Sequence, residues 1–458
     1  MGRLFGTDGV RGLANRDITA ELAVDLAVSA AHVLADAGAF GDRRARAIVG
    51  RDTRASGEFL EAAVVAGLAS AGVDVTVVGI VPTPAVAWLT ASEGADLGVM
   101  LSASHNPMPD NGIKFFARGG HKLADEIEDQ IEDRLGETWA RPTGAEVGRI
   151  KADPEAAGRY VDYLLSTIAV DLAGIRVVVD CANGAAWQVA PEALRRAGAE
   201  VIAIHADPDG WNINEDCGST HLDALAASVL EHSADVGIAH DGDADRCLAV
   251  AADGSIIDGD HILAILAVAL RDSGLLNGNT VVSTVMANLG FKVAMEAAGI
   301  QISETAVGDR YVLEEMRANG LALGGEQSGH VVMSAFATTG DGVLTALHLL
   351  ARMAATGQSL AELARMVDKY PQVLINVGGV DKSALGSNVA VRSVLTQVEQ
   401  ELAGNGRVLL RPSGTEPVIR VMVEAATSED AERLAGAIAA VVSAELALDS
   451  SAVNSTDG

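Results

Sequence analysis

The 458-residue sequence has few cysteines, few aromatic residues and no long apolar run. Its three cysteines, Cys181, Cys217 and Cys247, are too few and too scattered for a disulfide framework or a CxxC metal site. They fit a reducing compartment, where buried Cys acts as a small hydrophobe, so we expect a cytoplasmic protein. The longest apolar run, residues 262–270, is far shorter than the roughly 20 residues of a membrane-spanning helix. The first residues also lack the apolar stretch of a signal peptide, so we expect no membrane partner.

Positive charge is scarce as well. The sequence has 33 Lys and Arg residues against 62 Asp and Glu residues, which gives a net charge of −29. A surface of this sign repels nucleic acid and anionic membranes, and we therefore expect neither as a partner. An anionic substrate would need a local pocket of positive charge.

Short β-branched runs alternate with helical stretches in three successive blocks. The first block has such runs at residues 47–50, 73–78 and 97–101, with a helical stretch at residues 57–71 between the first two. Two further blocks repeat this alternation, which favours an α/β fold built from a triplicated βαβ unit with parallel strands. From about Lys369, two strand patterns and a terminal helical stretch indicate a smaller α+β domain.

These patterns predict four domains followed by a disordered tail. The first linker is the segment 136–153, which is rich in Gly, Pro and mixed charge. The predicted domains are residues 1–150, 151–255, 256–368 and 369–449, and the predicted tail is residues 450–458.

Three aspartates follow a buried strand pattern in the second block. Asp241, Asp243 and Asp245 alternate along the chain, and a looped backbone can point all three carboxylates at one Mg²⁺ or Ca²⁺ ion. An EF-hand is excluded, because Arg246 and Ala252 stand where Gly and Glu are required. Two other interpretations stay open: an aspartyl-nucleophile phosphatase using Asp241 and Asp243, and a solvated acidic turn.

A serine follows the last strand pattern of the first block. Ser104 is next to His105, but neighbours on an extended chain point to opposite faces, so the two do not form a catalytic triad. A bare serine is a poor nucleophile and needs a different activation. Lys114 flanks the same loop.

Two further loops have the side chains of binding sites. Glu326, Ser328 and His330 lie among glycines, which let the backbone approach a ligand such as a sugar closely. The other loop combines guanidinium groups, hydroxyls and a flexible amide, as a phosphate monoester requires. Its residues are Arg411, Ser413, Gly414, Thr415 and Arg420. The sequence has no Gly-x-x-x-x-Gly-Lys-Ser/Thr motif, which argues against a P-loop nucleotide enzyme.

Four motifs, in the order in which they occur along the chain, resemble those of the α-D-phosphohexomutase superfamily. The resemblance extends from Phe5 to about Glu424. The four motifs are Ser-His-Asn-Pro at 104–107, Asp-Gly-Asp-Ala-Asp-Arg at 241–246, Gly-Glu-Gln-Ser-Gly-His at 325–330 and Arg-Pro-Ser-Gly-Thr-Glu-Pro at 411–417. Within the superfamily, Phe-Gly-Thr-Asp-Gly-Val-Arg-Gly at 5–12, Asp-Asn-Gly-Ile-Lys-Phe-Phe at 110–116 and Gln327 favour the branch that acts on glucosamine phosphates.

The resemblance implies three α/β domains with mixed sheets and a final domain of the TATA-binding-protein-like type. It implies interconversion of glucosamine 6-phosphate and glucosamine 1-phosphate, on the route to UDP-N-acetylglucosamine and peptidoglycan. The expected cofactors are one Mg²⁺ per active site and glucosamine 1,6-bisphosphate as activator and intermediate. A homodimer is compatible with the resemblance, because dimers are common among relatives.

The resemblance also implies roles for individual residues. Ser104 would be phosphorylated, and its phosphate would hold Mg²⁺ together with Asp241, Asp243 and Asp245. The charges of three carboxylates, one Mg²⁺ ion and a phosphoserine of about −2 add up to a net charge of about −3, so nearby cations are required. The candidates are Arg11, His105, Lys114 and Arg246, and either Lys114 or His105 could relay the hydroxyl proton. The expected substrate-binding residues are Arg246, Gly308, Asp309, Glu326, Ser328, His330, Arg411, Ser413, Gly414, Thr415 and Arg420.

Two alternatives stay open at this point. A phosphomannomutase or phosphoglucomutase of the same superfamily would differ in the group at the sugar C2. A metal-dependent sugar-phosphate phosphatase would use Asp241 and Asp243. Product analysis separates these activities.

Overall fold

We describe the protein from a computed structural model, which covers residues 3–6, 8–40, 43–413 and 418–448. The chain forms two compact units. The first comprises Met1–Met286 and Ala298–Met366, and the second comprises Ala287–Ala297 and Val367–Gly458. No helix of the described residues is long and apolar enough to cross a membrane. The predicted tail, residues 450–458, lies outside the described residues.

The first sheet has seven strands in the order β1-β2-β6-β5-β3-β4-β7. Strands β3, β4, β5 and β7 form parallel pairs, whereas β6 runs antiparallel to β5 and to β2. The strands are Phe5–Gly6 (β1), Gly9–Leu13 (β2), Arg46–Arg51 (β3), Asp74–Ile80 (β4), Leu97–Leu101 (β5), Asp110–Ala117 (β6) and Ile150–Ala152 (β7). The helices are Ala20–Asp36 (α1), Ser56–Ser70 (α2), Thr83–Ser92 (α3) and Asp125–Asp133 (α4).

The second sheet has five strands in the order β12-β11-β10-β8-β9. Strand β8 is parallel to β9 and β10, and β10 then turns back antiparallel as β11. The strands are Arg176–Asp180 (β8), Glu200–Ile204 (β9), Val236–Ala239 (β10), Leu248–Ala251 (β11) and Ile256–Ile257 (β12). The helices are Ala156–Ser166 (α5), Ala186–Arg196 (α6) and Asp223–Glu231 (α7).

The third sheet has four strands in the order β14-β13-β15-β16. Strand β13 is parallel to β14 and β15, and β16 pairs antiparallel with β15. The strands are Thr280–Thr284 (β13), Gln301–Thr305 (β14), Leu323–Gly325 (β15) and Val331–Met333 (β16). The helices of this part of the chain are Gly259–Asp272 (α8), Leu289–Ala297 (α9, part of the second compact unit), Asp309–Asn319 (α10), Gly342–Thr356 (α11) and Leu360–Ala364 (α12).

The same four-strand arrangement occurs in all three sheets. Its orders are β4-β3-β5-β6, β9-β8-β10-β11 and β14-β13-β15-β16. The first three strands are parallel and need helical crossovers, while the fourth returns through a short hairpin loop. The predicted triplication and the mixed sheets are therefore confirmed. The three polar loops found in the sequence are these hairpin loops, so each occupies the same position in its sheet.

The second compact unit has an antiparallel sheet in the order β17-β19-β18. Its elements are Gln372–Gly378 (β17), Val389–Leu402 (α13), Arg407–Pro412 (β18), Val418–Glu424 (β19) and Ser428–Glu445 (α14). The side chain of Thr427 accepts a hydrogen bond from the Asp430 N–H, which caps the last helix as its sequence indicates. The predicted smaller α+β domain is thus confirmed in fold.

Candidate active site

The three aspartates of the β10–β11 loop converge. Ligand atoms of Asp241, Asp243 and Asp245 all lie within 4.8 Å of one another, and the three residues are at most 5% exposed. Ala244 between them has a φ of 56°, which turns the backbone so that alternate side chains face one point. The loop is therefore a buried carboxylate cluster and not a solvated acidic turn.

The cluster has an excess of buried negative charge. Burial, together with the neighbouring Asp245 and Asp243, raises the pKa of Asp241 well above its ordinary value. Burial opposes ionisation of Asp243 as well, but Lys114 holds the pKa of Asp243 below its ordinary value. One oxygen each of Asp243 and Asp245 is buried without a hydrogen bond to the described residues. Carboxylate oxygens left in this way suit a hard divalent cation, and the cluster therefore fits a metal cofactor.

Ser104 lies against this cluster. Its hydroxyl donates a hydrogen bond to Asp241 Oδ2 and lies 3.2 Å from His105 Nδ1. Its φ of 52° and a hydrogen bond from its N–H to the Ser102 hydroxyl (2.9 Å) fix the turn that presents Oγ. A phosphoryl group on Ser104 would thus be placed beside the carboxylates.

A buried arginine holds the Ser104 loop from behind. Arg54 is completely buried and donates hydrogen bonds to the carbonyl oxygens of Ser104 (2.9 Å), Asn106 (2.8 Å) and Pro107 (2.6 Å). Its Nε donates to Asp52 Oδ2 at 2.9 Å, so the buried charge is paired. Because a planar guanidinium has five N–H donors, one side chain can fix the whole turn.

Two more side chains complete this support. Asp52 accepts a hydrogen bond from the Ser102 hydroxyl at 2.7 Å, and Asn214 Nδ2 donates to the carbonyls of Ser104 (2.8 Å) and Asn106 (3.0 Å). Arg54, Asp52 and Asn214 were not among the site residues predicted from the sequence. The available signal was a charged Asp-Thr-Arg segment directly after a buried strand, where a solvated loop would have been the ordinary interpretation.

Lys114 is buried between carboxylates and is not a surface charge. Its Nζ lies 2.7 Å from both Asp243 Oδ2 and Asp8 Oδ2. Burial favours the neutral amine, but Asp243 and Asp8 outweigh it and raise the pKa of Lys114 above its ordinary value. His105 is in the opposite situation, because burial and the positive charge of Arg246 lower its pKa to about 4.

A second lysine, Lys122, follows β6 and connects this part of the first sheet to the start of α10. Lys122 Nζ is paired with both Asp8 and Asp309, and Arg11 is paired with the other oxygen of Asp8. Burial favours the neutral amine of Lys122, yet Asp309 and Asp8 raise its pKa to about 12. Asp8 and Lys122 were not among the predicted site residues, because a lone Asp or Lys in a sequence has no signal of its own.

The predicted sugar-binding side chains lie on the β15–β16 loop and at the start of α10. The Gly308 N–H donates to Glu326 Oε1 at 3.1 Å, and His330 Nε2 lies 3.7 Å from Asp309 Oδ2. The Ser328 hydroxyl is buried without a hydrogen bond to the described residues, so it is available to a ligand. The structure thus brings the predicted residues of three separate loops together within the first compact unit.

The predicted phosphate-binding residues belong to the second compact unit. Arg411 and Arg420 are directly opposite on β18 and β19, and burial together with Arg420 lowers the pKa of Arg411. Ser413 is buried at the end of this hairpin. Gly414 and Thr415 lie outside the described residues. Two adjacent guanidinium groups are typical of an anion-binding site.

The repeated sheets and the serine beside a carboxylate cluster define the protein class. The chain belongs to the phosphoglucomutase/phosphomannomutase family. Family models match alpha/beta/alpha domain I at residues 2–140, domain II at 158–254, domain III at 258–370 and the C-terminal domain at 374–441. This membership implies a metal cofactor, for which the aspartate cluster offers a site.

Two relatives of high sequence identity within this family are both phosphoglucosamine mutases. The chain is 65% identical over 451 residues to the phosphoglucosamine mutase of Streptomyces griseus, covering 97% of this chain and 100% of that protein. It is 62% identical to the phosphoglucosamine mutase of Thermobifida fusca, covering 98% and 100%.

Solved structures show the same fold at low identity. A phosphoglucomutase/phosphomannomutase family protein from Burkholderia thailandensis is 23% identical with a TM-score of 0.79, covering 96% of this chain and 97% of that one. Aspergillus fumigatus N-acetylphosphoglucosamine mutase, in complex with GlcNAc-6P and magnesium, is 18% identical with a TM-score of 0.63, covering 96% and 95%.

Proposed function

We propose that the protein interconverts glucosamine 6-phosphate and glucosamine 1-phosphate, the activity of a phosphoglucosamine mutase. The contact of the Ser104 hydroxyl with Asp241 in a buried carboxylate cluster carries the phosphoryl-transfer part of this proposal. Relatives of 61–65% identity along nearly the whole chain support the choice of sugar.

The resting enzyme carries phosphate on Ser104 in this proposal. Asp241, Asp243 and Asp245 would hold Mg²⁺, which supplies charge neutralisation for the phosphoryl group when bound. Lys114 adds a fixed positive charge, because two carboxylates keep it protonated. The Ser104 loop is held by Arg54 from behind, so the donor oxygen keeps its position during transfer.

The reaction then has two transfers. A sugar hydroxyl attacks the phosphorus, the bond from phosphorus to Ser104 Oγ breaks, and the hydroxyl proton is relayed to Oγ. Either the neutral imidazole of His105 accepts this proton and passes it on, or Lys114 gives its own proton to Oγ and takes up that of the sugar hydroxyl. This forms glucosamine 1,6-bisphosphate, which turns around and returns its other phosphate to Ser104. Arg11 and Arg246 supply further positive charge. Which of His105 and Lys114 relays the proton stays a prediction.

The chemistry of the side chains also assigns residues to the sugar and to the phosphate that does not react. Glu326, Ser328 and His330, with Gly308 and Asp309, would contact the sugar, since hydroxyl and amine groups pair with carboxylate, hydroxyl and imidazole groups. The phosphate that does not react would bind the second compact unit. Its proposed ligands are Arg411, Ser413, Gly414, Thr415 and Arg420. A phosphate would relieve the repulsion between the two guanidinium groups.

Product analysis tests the proposal. Purified protein with Mg²⁺ is given glucosamine 6-phosphate, and the phosphorus NMR spectrum is followed in time. We expect glucosamine 1-phosphate with total sugar phosphate conserved. Release of inorganic phosphate would show a phosphatase, and faster conversion of mannose or glucose phosphates would show the other branches of the family. A homodimer and a cytoplasmic location are further proposals, tested by light scattering and by cell fractionation.

A further inference from the structure

A second group of metal-ligand side chains lies outside the proposed active site. It consists of Asp180 at the end of β8, His205 directly after β9, and Cys217 in the loop that follows. A carboxylate oxygen, the imidazole Nδ1 or Nε2, and the Sγ atom all lie within 4.8 Å of one another. Asp180 and Cys217 are fully buried, whereas the His205 side chain is 30% exposed and gives access from solvent.

Backbone contacts fix the carboxylate of this group. Asp180 Oδ1 accepts the N–H of Ala182 at 2.8 Å, and Oδ2 accepts the N–H of Gly218 at 3.0 Å. Each oxygen keeps a second lone pair for another partner. Gly218, next to Cys217, has a φ of 71°, and a Cβ there would lie 2.6 Å from the His240 carbonyl oxygen. This close packing holds the cysteine against Asp180.

The other two donors, His205 and Cys217, lie beside the carboxylate of Asp180. His205 Nδ1 lies 2.9 Å from Asp180 Oδ2, but its direction makes no well-aligned hydrogen bond to the described residues. Its φ of 46° places the His205 backbone in the left-handed region, which histidine adopts more often than most residues. The contact between His205 and Asp180 joins two of the three donor groups, and the Cys217 Sγ atom is the third within reach of one ion.

We propose that Asp180, His205 and Cys217 bind a borderline divalent transition-metal ion of the Zn²⁺ type, with water as the fourth ligand. Nitrogen, sulfur and oxygen donors are the zinc set, whereas Mg²⁺ takes oxygen ligands, so this site is chemically distinct from the aspartate cluster. The Cys217 proton leaves to solvent as the sulfur–metal bond forms. One carboxylate and one thiolate then balance the two charges of the ion.

The proposed ion would stabilise the support of the Ser104 loop. It would connect the ends of β8 and β9 to the segment 206–217. Asn214 of this segment donates to the carbonyls of Ser104 and Asn106. Metal binding would therefore reduce the mobility of a segment that positions the phosphoserine turn, and it would raise the unfolding temperature by favouring the folded state.

Cobalt substitution tests the site independently of catalysis. The full chain is treated with a chelator and titrated with Co²⁺, and the near-ultraviolet charge-transfer band from thiolate to cobalt is recorded. An all-oxygen carboxylate site cannot produce this band. With excess Mg²⁺ present to occupy the aspartate cluster, we expect one band that saturates at one Co²⁺ per chain and that disappears when Zn²⁺ is added.

Three variants assign the ligands. Cys217→Ser should abolish the band, and His205→Asn, which tolerates the left-handed backbone, should weaken Co²⁺ binding about 10-fold or more. Cys247→Ala removes a different buried thiol and should retain the band. The absence of a band in the wild-type chain, or its persistence in Cys217→Ser, would overturn the proposal. If Cys217→Ser does not fold, the Zn²⁺-dependent rise in unfolding temperature decides, because it must be present in the wild type and reduced in His205→Asn.

Discussion

In the proposed mechanism phosphoryl transfer depends on Ser104, whose hydroxyl donates a hydrogen bond to Asp241. We expect Ser104→Ala to lower turnover by several orders of magnitude, because the variant lacks the hydroxyl that carries the phosphate in the proposed mechanism. Peptide mass spectrometry of the wild-type protein should place phosphate on Ser104. Ser102→Ala is the matched control, because it keeps the Ser104 hydroxyl but removes the Ser102 hydroxyl that accepts the Ser104 N–H. Phosphate on Ser102 in the wild type would contradict the assignment.

Arg54 acts at the same scale through the backbone of the Ser104 turn. Lysine has three donors on a flexible chain and cannot reproduce the planar fork that binds the carbonyls of this turn. We expect Arg54→Lys to lower kcat about 10- to 100-fold with a smaller change in KM, because the phosphoryl donor loses its position. Arg51→Lys is the control for general loss of stability, because Arg51 is a neighbouring arginine at the last position of β3. An Arg54→Lys enzyme with changed KM and normal kcat would disprove this role.

At the scale of elements, the backbone of the β10–β11 loop lies close to the backbone of the β5–β6 loop. A Cβ at Gly242, in the β10–β11 loop, would lie 2.5 Å from the carbonyl oxygen of Ser104. We expect Gly242→Ala to displace the Ser104 turn and to lower turnover about 100-fold, since small misplacements of reacting groups have effects of this size.

Gly158 offers a control for that substitution. It lies in α5, and a Cβ there would have nothing within 4 Å. Gly158→Ala should leave turnover unchanged and raise the free energy of unfolding by up to about 1 kcal/mol, because alanine favours the helix. Equal loss of turnover in both variants would mean that the close approach at Gly242 is not needed.

The start of α11 should make stability depend on pH. Asp341 caps this helix by accepting the Leu344 N–H at 2.9 Å, and burial raises the Asp341 pKa to about 6. The unfolded chain releases this proton near pH 4, so folding takes up a proton between these values. Stability from this group is therefore lost as the pH rises from about 4 to about 6.

Asp341→Asn tests this linkage, because asparagine keeps the cap without a charge. Relative to wild type, the variant should gain about 1.4 kcal/mol of unfolding free energy between pH 5 and pH 7.5, measured by urea denaturation. Asp253→Asn, at an exposed turn, should show no such gain. A constant difference across this range would show that the proposed proton uptake by Asp341 does not occur between pH 5 and pH 7.5.

At the scale of the whole molecule, the proposed mechanism requires one serine to exchange phosphate with two different sugar hydroxyls. We expect glucosamine 1,6-bisphosphate to phosphorylate dephosphorylated enzyme on Ser104 and to release a monophosphate. In this step a sugar oxygen–phosphorus bond breaks, the bond from Oγ to phosphorus forms, and the Oγ proton passes to the sugar oxygen. Mass spectrometry and product NMR follow both events together. If the bisphosphate produces neither phosphoserine nor monophosphate, reorientation is the wrong mechanism.

The net charge of −29 makes the location of positive charge important. Lys114 and Lys122 are buried among carboxylates, and Arg11 joins them through Asp8. These cations offset acidic groups within the site, while the surface stays acidic. A phosphosugar therefore binds against the overall field through a few fixed charges.

Much of this protein could be predicted from the sequence because the relevant signals are local. The alternation of strands and helices, the Asp241–Asp243–Asp245 spacing and the Ser104 motif each lie within a few residues. Such patterns determine which strands form, where loops follow them and which functional groups the loops carry.

Only the tertiary structure decided which distant residues meet. Arg54 reaches the Ser104 carbonyl from 50 residues away, and the Ser104 hydroxyl meets Asp241 across 137 residues. The burial of Lys114 and the grouping of Asp180 with Cys217 also have no local pattern. The physical reason is that hydrogen bonds and ion pairs act over a few ångströms, so their partners are set by how the sheets pack and not by spacing along the chain.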